Sequence, residues 1–394
     1  MPKLYLIRHA EAEGNLYRRS QGQYNSNVTA LGRRQIAALA ERFRELPVDA
    51  LWCSDLYRTQ STAAAILKYH PALALNLTPR LREIDVGVWE DIPWGNLAEQ
   101  WPEQMRLFSG DPARWYVPGC ERYSDLQARI RAAVLDIAGQ NEGKTVACLS
   151  HGLAIRSLLC DICGIPSDRI QAMPYGDNTS VALLTVENGS IYADWYNDAS
   201  HLEAAGLSTF ARQGWRAASE KKNRAPDYGV LHPLDPRKNA ALYSGCYKNT
   251  WLASHGSLEG YSPAIYLRSA EKHFRSDENC VMRLDFGGSF AGIIELDPQR
   301  GADEGAGWIS LLWIEPDMRG KRLGVQLIGH AVSFFRKKGR DSLRLHVAVT
   351  NTAAIGFYNS VGFRCTGTAA GAVGPLCVME WDIRQRVLTP EEIF

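Results

Sequence analysis

The chain reads as an α/β protein built from two successive domains, and three observations say so. Its 394 residues exceed what one ordinary hydrophobic core serves. Its first half repeats one pattern: a short apolar run stops abruptly on polar or charged residues and hands over to a helical pattern. Leu4–Ile7, Ala50–Cys53 and Lys144–Ser150 are such runs. From Asp198 to Lys238 the chain turns polar, charged and proline-bearing, as a linker or arm does, and a different order of strands and helices follows.

Composition narrows the class. Apolar residues make up 45% and charged residues 22%, the balance of an ordinary globular protein. Lys plus Arg is 44 and Asp plus Glu is 43, a formal net charge of +1, so nothing demands nucleic acid or an anionic membrane as partner. No apolar run approaches the roughly 18 residues of a membrane span, and the N-terminus lacks the basic, apolar and cleavage segments of a secretory leader. A cytoplasmic location is therefore expected. The nine cysteines, odd in number and scattered, suggest reduced thiols. Cys160 and Cys163 form a CxxC inside the apolar helical run LLCDICGI, with no second pair at zinc spacing, so buried thiols are expected there rather than a metal.

The first half opens on LYLIRHAEAEGN. A strand over Leu4–Ile7 that stops on Arg8-His9 puts a cation and an imidazole at the carboxyl edge of a sheet, where open α/β sheets bind ligands. Thr29 is the expected N-cap of a helix carrying Leu31, Ile36, Leu39, Ala40 and Phe43 at helical spacing. Ala50–Cys53 ends at Ser54-Asp55, either of which can cap a helix running to about Leu67, with Arg58 in its first turn. A helix N-terminus with an arginine is an anion site. The segment Leu81–Glu90 mixes carboxylates with apolar residues. Helical material rich in aromatics follows (Trp94, Trp101, Phe108, Trp115, Tyr116), expected to lie over the sheet edge, with most of those rings in the core. After an amphipathic helix from Tyr123 to Ile137, Lys144–Ser150 is a third strand. It ends on His151-Gly152 and opens a helix to Cys163; Asn178–Val186 and Ser190–Tyr196 read as further strands. Three strand ends thus deliver Arg8, His9, Arg58 and His151 to one edge. Two arginines can hold phosphate oxygens, one histidine can attack phosphorus, and the second can stabilise the transferring group. Glu83 is the candidate acid for the leaving oxygen.

These motifs resemble the histidine phosphatase superfamily, the phosphoglycerate mutase-like fold. Arg8-His9-Ala10 stands for its Arg-His-Gly, and Glu11 and Asn15 continue that signature. Ser54-Asp-Leu-Tyr-Arg58-Thr matches its second arginine motif, Leu81–Glu90 the proton-donor segment of its phosphatase branch, and Ser150-His151-Gly152 its second histidine. The resemblance covers roughly residues 3 to 198. It implies a three-layer α/β/α domain, with His9 the phosphorylated nucleophile and Glu83 the general acid. Arg8, Asn15, Arg58 and His151 would bind the phosphate, with no metal. The departures are Ala10 for glycine, Asn25-Ser-Asn-Val-Thr29 for Asp-x-Pro-Leu-Thr, and Pro118-Gly-Cys-Glu121 for Pro-Gly-Gly-Glu. The last two leave the substrate open. A mutase, moving phosphate between hydroxyls, is the competing activity.

In the second half, Val281–Phe286 and Phe290–Leu296 flank Gly287-Gly288 as a hairpin. Trp308–Ile314 is a third strand, followed by Glu315-Pro-Asp-Met-Arg319-Gly320-Lys321-Arg322-Leu323-Gly324-Val325 and a helix to about Lys337. Such a turn offers N–H groups to a pyrophosphate. Ser342–Val349 and Leu376–Ile383 are strands around Asn351–Phe363, which reads as a helix followed by a tight turn. This half resembles the GNAT N-acetyltransferase superfamily over roughly residues 240 to 384. Arg319–Gly324 matches its (Gln/Arg)-x-x-Gly-x-(Gly/Ala) loop, with Arg322 in the middle glycine's place, and Asn351-x-x-Ala-x-x-Phe-Tyr358-x-x-x-Gly-Phe363 matches its second motif. The resemblance implies a mixed sheet and acetyl-CoA as cosubstrate. Ile314 and residues 319 to 325 (Arg319, Gly320, Lys321, Arg322, Leu323, Gly324, Val325) would hold the pyrophosphate. Asn351 would lie along the pantetheine arm, and Tyr358 would protonate the departing thiolate. Glu295 and Glu304 lie near the third strand without standing out as a base, and a relayed water is the alternative.

Together the motifs lead to domains at 1–200 and 240–384, an arm at 201–239 and a tail at 385–394. The expectation is a bifunctional enzyme that hydrolyses a small phosphate ester and acetylates a small amine. The alternative makes the second half an acetyl-CoA-binding module. Neither substrate nor the oligomeric state is legible.

Overall fold

The computed structural model describes residues 1–210 and 227–394. Within the arm the pattern over Ala204–Ala218 also predicts a helix; that stretch and the charged Ser219–Pro226 fall largely outside the described residues. Two compact units emerge: 1–92, 97–210 and 385–394 form the first, and 93–96 with 227–384 form the second.

The first unit is organised on a six-stranded sheet of β1 (Lys3–Arg8), β2 (Ala50–Cys53), β3 (Leu75–Leu77), β4 (Thr145–Ser150), β5 (Val181–Glu187) and β6 (Ser190–Asp198). The order is β3-β2-β4-β1-β5-β6. β1 and β2 both run parallel to β4, with Arg8 opposite Ser150 and Cys53 opposite Leu149, so their carboxyl ends share one edge. β5 and β6 add an antiparallel hairpin on the other side of β1. The helices are α1 (Glu13–Tyr17), α2 (Ala30–Phe43), α3 (Tyr57–Leu67), α4 (Trp94–Gln100, its first three residues counted with the second unit), α5 (Pro102–Gly110), α6 (Tyr123–Gln140), α7 (Gly152–Ile162) and α8 (Ser200–Glu203), with one further short helix at Pro390–Ile393.

Thr29 caps α2 as its sequence suggests, accepting from Gly32 N at 3.1 Å. The start of α3 differs from expectation. Leu56 is the N-cap, and the amide of Tyr57 is met by Asn25 Oδ1 at 3.0 Å rather than by a side chain of Ser54 or Asp55. Ser54 is engaged with His151 and Asp55 with Arg82. The short β3 has only three residues and no apolar run to announce it. Trp89, Phe108 and Trp115 form one aromatic cluster with ring centroids 4.9 to 5.7 Å apart, while Tyr116 is exposed.

The core beneath β1 and β2 gathers Ile7, Ala10, Ile36, Phe43, Leu51, Ile66 and Leu149. Leu388, inside the stretch read as a tail, belongs to the same cluster, and its amide donates to Ser61 Oγ at 2.9 Å.

The second unit carries a seven-stranded mixed sheet. Its strands are β7 (Val230–Pro233), β8 (Val281–Phe286), β9 (Ser289–Asp297), β10 (Ala306–Ile314), β11 (Ser342–Ala348), β12 (Arg364–Ala370) and β13 (Pro375–Asp382), in the order β12-β13-β11-β10-β9-β8-β7. Its helices are α9 (Ala240–His255), α10 (Pro263–Ser276), α11 (Leu323–Lys337) and α12 (Thr352–Val361). β7 lies in the stretch read as an arm and pairs antiparallel with β8. Only β10 and β11 are parallel, and their register covers Ala306–Ile309 against Ser342–Leu345 and no more. Beyond it the two strands continue unpaired with each other, and a register shift on β10 between Ile309 and Leu311 marks where they part. Gly307 has no side chain because the Phe335 ring of α11 lies where its Cβ would be, at 2.2 Å. The neighbouring parity of the sheet faces the other way. Asp297 pairs with Trp308 and Glu295 with Leu311, and Glu295 meets Tyr243 of α9 and His273 of α10.

The expectation of reduced thiols throughout is corrected at one place. Cys365 and Cys377, on neighbouring antiparallel strands with Cα atoms 6.0 Å apart, are disulfide-bonded. The other seven cysteines are free; Cys160 is buried in α7 and Cys163 is exposed at its end.

Candidate active sites

In the first unit the shared edge assembles as expected. His9 follows β1 and His151 follows β4, with ring centroids 5.3 Å apart. His9 Nδ1 lies 2.7 Å from the Ala10 carbonyl. A carbonyl only accepts, so Nδ1 carries the proton and Nε2 keeps its lone pair. His151 Nε2 is 2.9 Å from Ser54 Oγ, and its Nδ1 has no partner among the described residues. Burial, then the Arg58 and Arg8 cations, hold the His9 imidazole well below its ordinary pKa. Burial and Arg58 do the same for His151. Both rings are therefore neutral near pH 7.

The arginines are fixed by backbone carbonyls. Arg58 donates to Tyr24 O at 3.0 Å and Gly22 O at 2.7 Å, and Arg8 donates to Gly176 O at 2.6 Å. Burial lowers the Arg58 pKa to about 10, which leaves it cationic, and lowers that of Arg8 as well. The Nε atoms of both arginines are buried without a partner among the described residues. Buried donors in native proteins are nearly always satisfied, so two guanidinium edges and one imidazole nitrogen without partners mark a place built for an anion.

Glu83 sits at the N-terminus of α7. Leu153 N donates to its Oε2 and Ala154 N to its Oε1, each at 2.9 Å, and its field reaches both Arg8 and Arg58. Asn15 lies in α1, where its Oδ1 accepts from Ala12 N at 3.1 Å and Asn178 Nδ2 approaches at 3.5 Å.

Several positioning residues escaped the sequence reading. The Glu90 carboxylate accepts from the amides of Gly22, Gln23 and Tyr24, holding the loop whose carbonyls clamp Arg58. Asn178 donates to the His9 carbonyl at 3.0 Å. Gly152 leaves room for Arg8, since a Cβ there would lie 3.3 Å from Arg8 Nε. Glu90 stood in the acid motif and Ser54 in the arginine motif, but only the fold shows what each one holds.

In the second unit the loop after β10 runs from Glu315 to Arg322 and leads into α11. Arg319 stacks on Trp313 at 4.8 Å and donates to the Ile314 carbonyl at 3.1 Å. Gly320 has φ +76° and open space around it, and Lys321 reaches Met318 Sδ at 3.4 Å. Arg322 adopts φ 60°, ψ 25°, the left-handed conformation for which the glycine of the resembling motif is suited, and it is the N-cap of α11. The first turn of α11, opening with Leu323, Gly324 and Val325, receives no side-chain cap from Arg322, its N-cap. Gly324 is reassigned: a Cβ there would meet Phe357 Cζ at 3.0 Å, so its smallness serves the packing of α11 on α12.

Asn351 Oδ1 accepts from Ala354 N at 3.1 Å and caps α12, and its Nδ2 lies 3.4 Å from Ser254 Oγ. Tyr358 is buried between the rings of Phe357 and Phe363, and burial raises its pKa. Glu304 pairs with Arg344. Glu295 is enclosed, accepting from Tyr243 Oη at 2.6 Å and His273 Nδ1 at 2.8 Å. His273 also reaches Asp297 at 3.3 Å. Burial opposes its cation, but the bonds to Asp297 and Glu295 win and raise its pKa to about 9.

Comparison with known proteins finds a separate relationship for each half of the chain. The family model of the histidine phosphatase superfamily (branch 1) matches residues 4–199, and that of the acetyltransferase (GNAT) family matches residues 242–363. The probable phosphoglycerate mutase GpmB of Enterobacter sp. (strain 638) is 32% identical over 216 residues, which are 54% of this chain and 100% of that protein. Its counterpart from Salmonella choleraesuis is 31% identical over 219 residues, again 54% of this chain and 100% of that protein. Among solved structures, Bacillus stearothermophilus YhfR superposes with a TM-score of 0.50 at 30% identity, covering 51% of this chain and 100% of that one. The chain belongs to the histidine phosphatase superfamily through its first half. Its second half carries the match to the acetyltransferase (GNAT) family.

Proposed function

We propose that the chain is a bifunctional enzyme: a phosphomonoester hydrolase working through phospho-His9, and an acetyltransferase that moves acetyl from acetyl-CoA to a small amine. The observation that carries the first activity is the convergence of Arg8 Nε, Arg58 Nε and His151 Nδ1, all buried and without partners among the described residues, beside a neutral His9. A phosphate ester held by the two arginines presents phosphorus to His9 Nε2. The N–P bond forms as the ester P–O bond breaks, and Glu83, when protonated, gives the leaving oxygen its proton. Water then attacks the phosphohistidine, with the Glu83 carboxylate taking a proton from it. No residue of this scheme requires a metal.

The test is release of phosphate from p-nitrophenyl phosphate, unaffected by EDTA, together with an acid-labile phosphoryl group that maps to His9. Release that persists in His9→Ala would sink the reading. The names of the Enterobacter and Salmonella relatives favour a second reading, phosphoglycerate mutase. It predicts interconversion of 3- and 2-phosphoglycerate faster than phosphate release from either.

For the second unit the support is the backbone of the cofactor loop. Arg322 takes the left-handed conformation despite its side chain, so the path that presents the α11 amides is kept. Acetyl-CoA binding by calorimetry, followed by CoA release with a panel of amines, distinguishes a working transferase from a binding module. Cytoplasmic residence belongs to the same proposal; among the described residues no helix is long and apolar enough to cross a membrane.

A further inference from the structure

The acetyltransferase reading lacks a group to take the proton from the acceptor. We propose that His346 of β11 is this general base, an inference that rests on that reading of the second unit.

His346 occupies the first position of β11 beyond its pairing with β10, which ends at Ile309 opposite Leu345. It stands where the two parallel strands part, across from the shifted register at Ser310. A parting of this kind opens a slot through the sheet without breaking a ladder elsewhere, since β11 stays paired to β13 and β10 to β9. The slot lies between the carboxyl end of β10, from which the cofactor loop springs, and the carboxyl end of β11, which leads to α12 and Tyr358.

The side chain projects onto the face shared with α9 and α10. The ring of Trp308 meets it edge-on with centroids 4.9 Å apart, and Trp308 pairs with Asp297 on that face. Neither ring nitrogen of His346 makes a hydrogen bond among the described residues, and the residue is half-buried. His273 on the same face is spent between two carboxylates, and the two acids near β10 are spent as well, Glu295 on Tyr243 and His273 and Glu304 on Arg344.

The groups around His346 favour a neutral ring. Arg300, in the turn after β9, stacks on the far partner Trp308 at 3.4 Å and faces Tyr247 of α9. On β11 itself Arg344 is tied to Glu304 and to Glu380 of β13. On β9, Glu295 and Asp297 are balanced by His273. Burial, then the Arg300 cation, lower the His346 pKa below its usual value, so the imidazole is an acceptor at neutral pH.

The step balances as follows. The acceptor ammonium gives one proton to His346. The freed amine forms a C–N bond to the acetyl carbonyl carbon as the C–S bond breaks. The thiolate takes a proton from Tyr358, the second nitrogen proton replaces it, and His346 returns its proton to water.

Bromoacetyl-CoA tests this without knowledge of the acceptor. Its CH2–Br carbon occupies the place of the acetyl methyl, and a neighbouring imidazole nitrogen displaces bromide. With the full chain, peptide mapping by mass spectrometry should find the carboxymethyl-type label on His346. Acetyl-CoA should slow the reaction, and the rate should fall with pH only below about 6.5. His346→Gln should keep acetyl-CoA affinity within about twofold and lose the label. Binding of both thioesters with no label on His346, or a label on another residue, overturns the proposal. If neither thioester binds in calorimetry, the acetyl-CoA reading itself fails and takes His346 with it.

Discussion

The two units bury histidines for opposite ends. In the first, His9 and His151 lie beside Arg8 and Arg58 with no carboxylate bonded to either ring among the described residues, and both stay neutral. In the second, His273 is about as deeply buried, yet Glu295 and Asp297 hold it as a cation. Burial disfavours charge in every case, so the companions decide the state. Surplus cations around neutral rings make a place that is electrostatically incomplete until an anion enters. A cation closed between two anions is complete already and fastens α10 to the sheet. This difference separates a reacting histidine from a structural one without reference to any motif.

The largest effect expected from breaking the contrast is on chemistry. His9→Ala should lower phosphate release by at least about 10⁴-fold while leaving the melting temperature nearly unchanged, since no other group can carry the phosphoryl. His273→Ala should do the reverse. It strands the Glu295 carboxylate in the core and should destabilise the second unit by about 3–5 kcal/mol, read by denaturant unfolding, with phosphate release unaffected. Gly152→Ala should move Arg8 by a few tenths of an ångström and lower kcat for phosphate release several-fold, with stability within about 0.5 kcal/mol of the parent.

pH sharpens the contrast further. His9 and His151 have folded pKa values below their unfolded value near 6.5, so the unfolded chain binds more protons between the two. The first unit should therefore lose stability as pH falls below about 6.5. His201, lowered to about 4 by burial and Arg42, adds to the same loss. His273 is raised, so its contribution is present in full below about 6.5 and is lost as pH rises through about 9. Hydrogen exchange resolved by segment should show the first unit opening at acid pH and α10 at alkaline pH. Uniform opening at either end would contradict the assignment. The smallest effect is expected at Arg322. Its replacement by glycine removes a left-handed side-chain penalty and should stabilise the second unit by about 1 kcal/mol, measured by denaturant midpoint.

Much of the edge chemistry was legible because it sits at the ends of apolar strands. Arg8, His9 and His151 follow Leu4–Ile7 and Thr145–Ser150 directly, and parallel pairing does the rest. What the sequence hid is long-range. Nothing beside Glu90 says that its carboxylate ties down residues 22–24, and nothing near Asn178 points to the His9 carbonyl. β3 and β12 were missed because three exposed or half-buried residues in one, and CTGTAA in the other, lack apolar alternation. β7 was read as part of an arm because prolines flank it; it pairs through only four residues. Gly324 was read through its motif, and only the packing showed that Phe357 demands it.

The place of Leu388 in the first unit's core has a consequence for how the chain is made. Residues 385–394 leave the ribosome after the whole of 227–384, although they complete a core begun by residues 7 to 66. The first unit must wait, with Leu388's seat beside Ile66 and Ala63 unfilled, while the second unit is synthesised and folds. A chaperone that covers apolar surface on nascent chains should stay on this protein until residues 385–394 have emerged. Release should come earlier for residues 227–384, which contain β7 to β13, since their strands are contiguous in sequence.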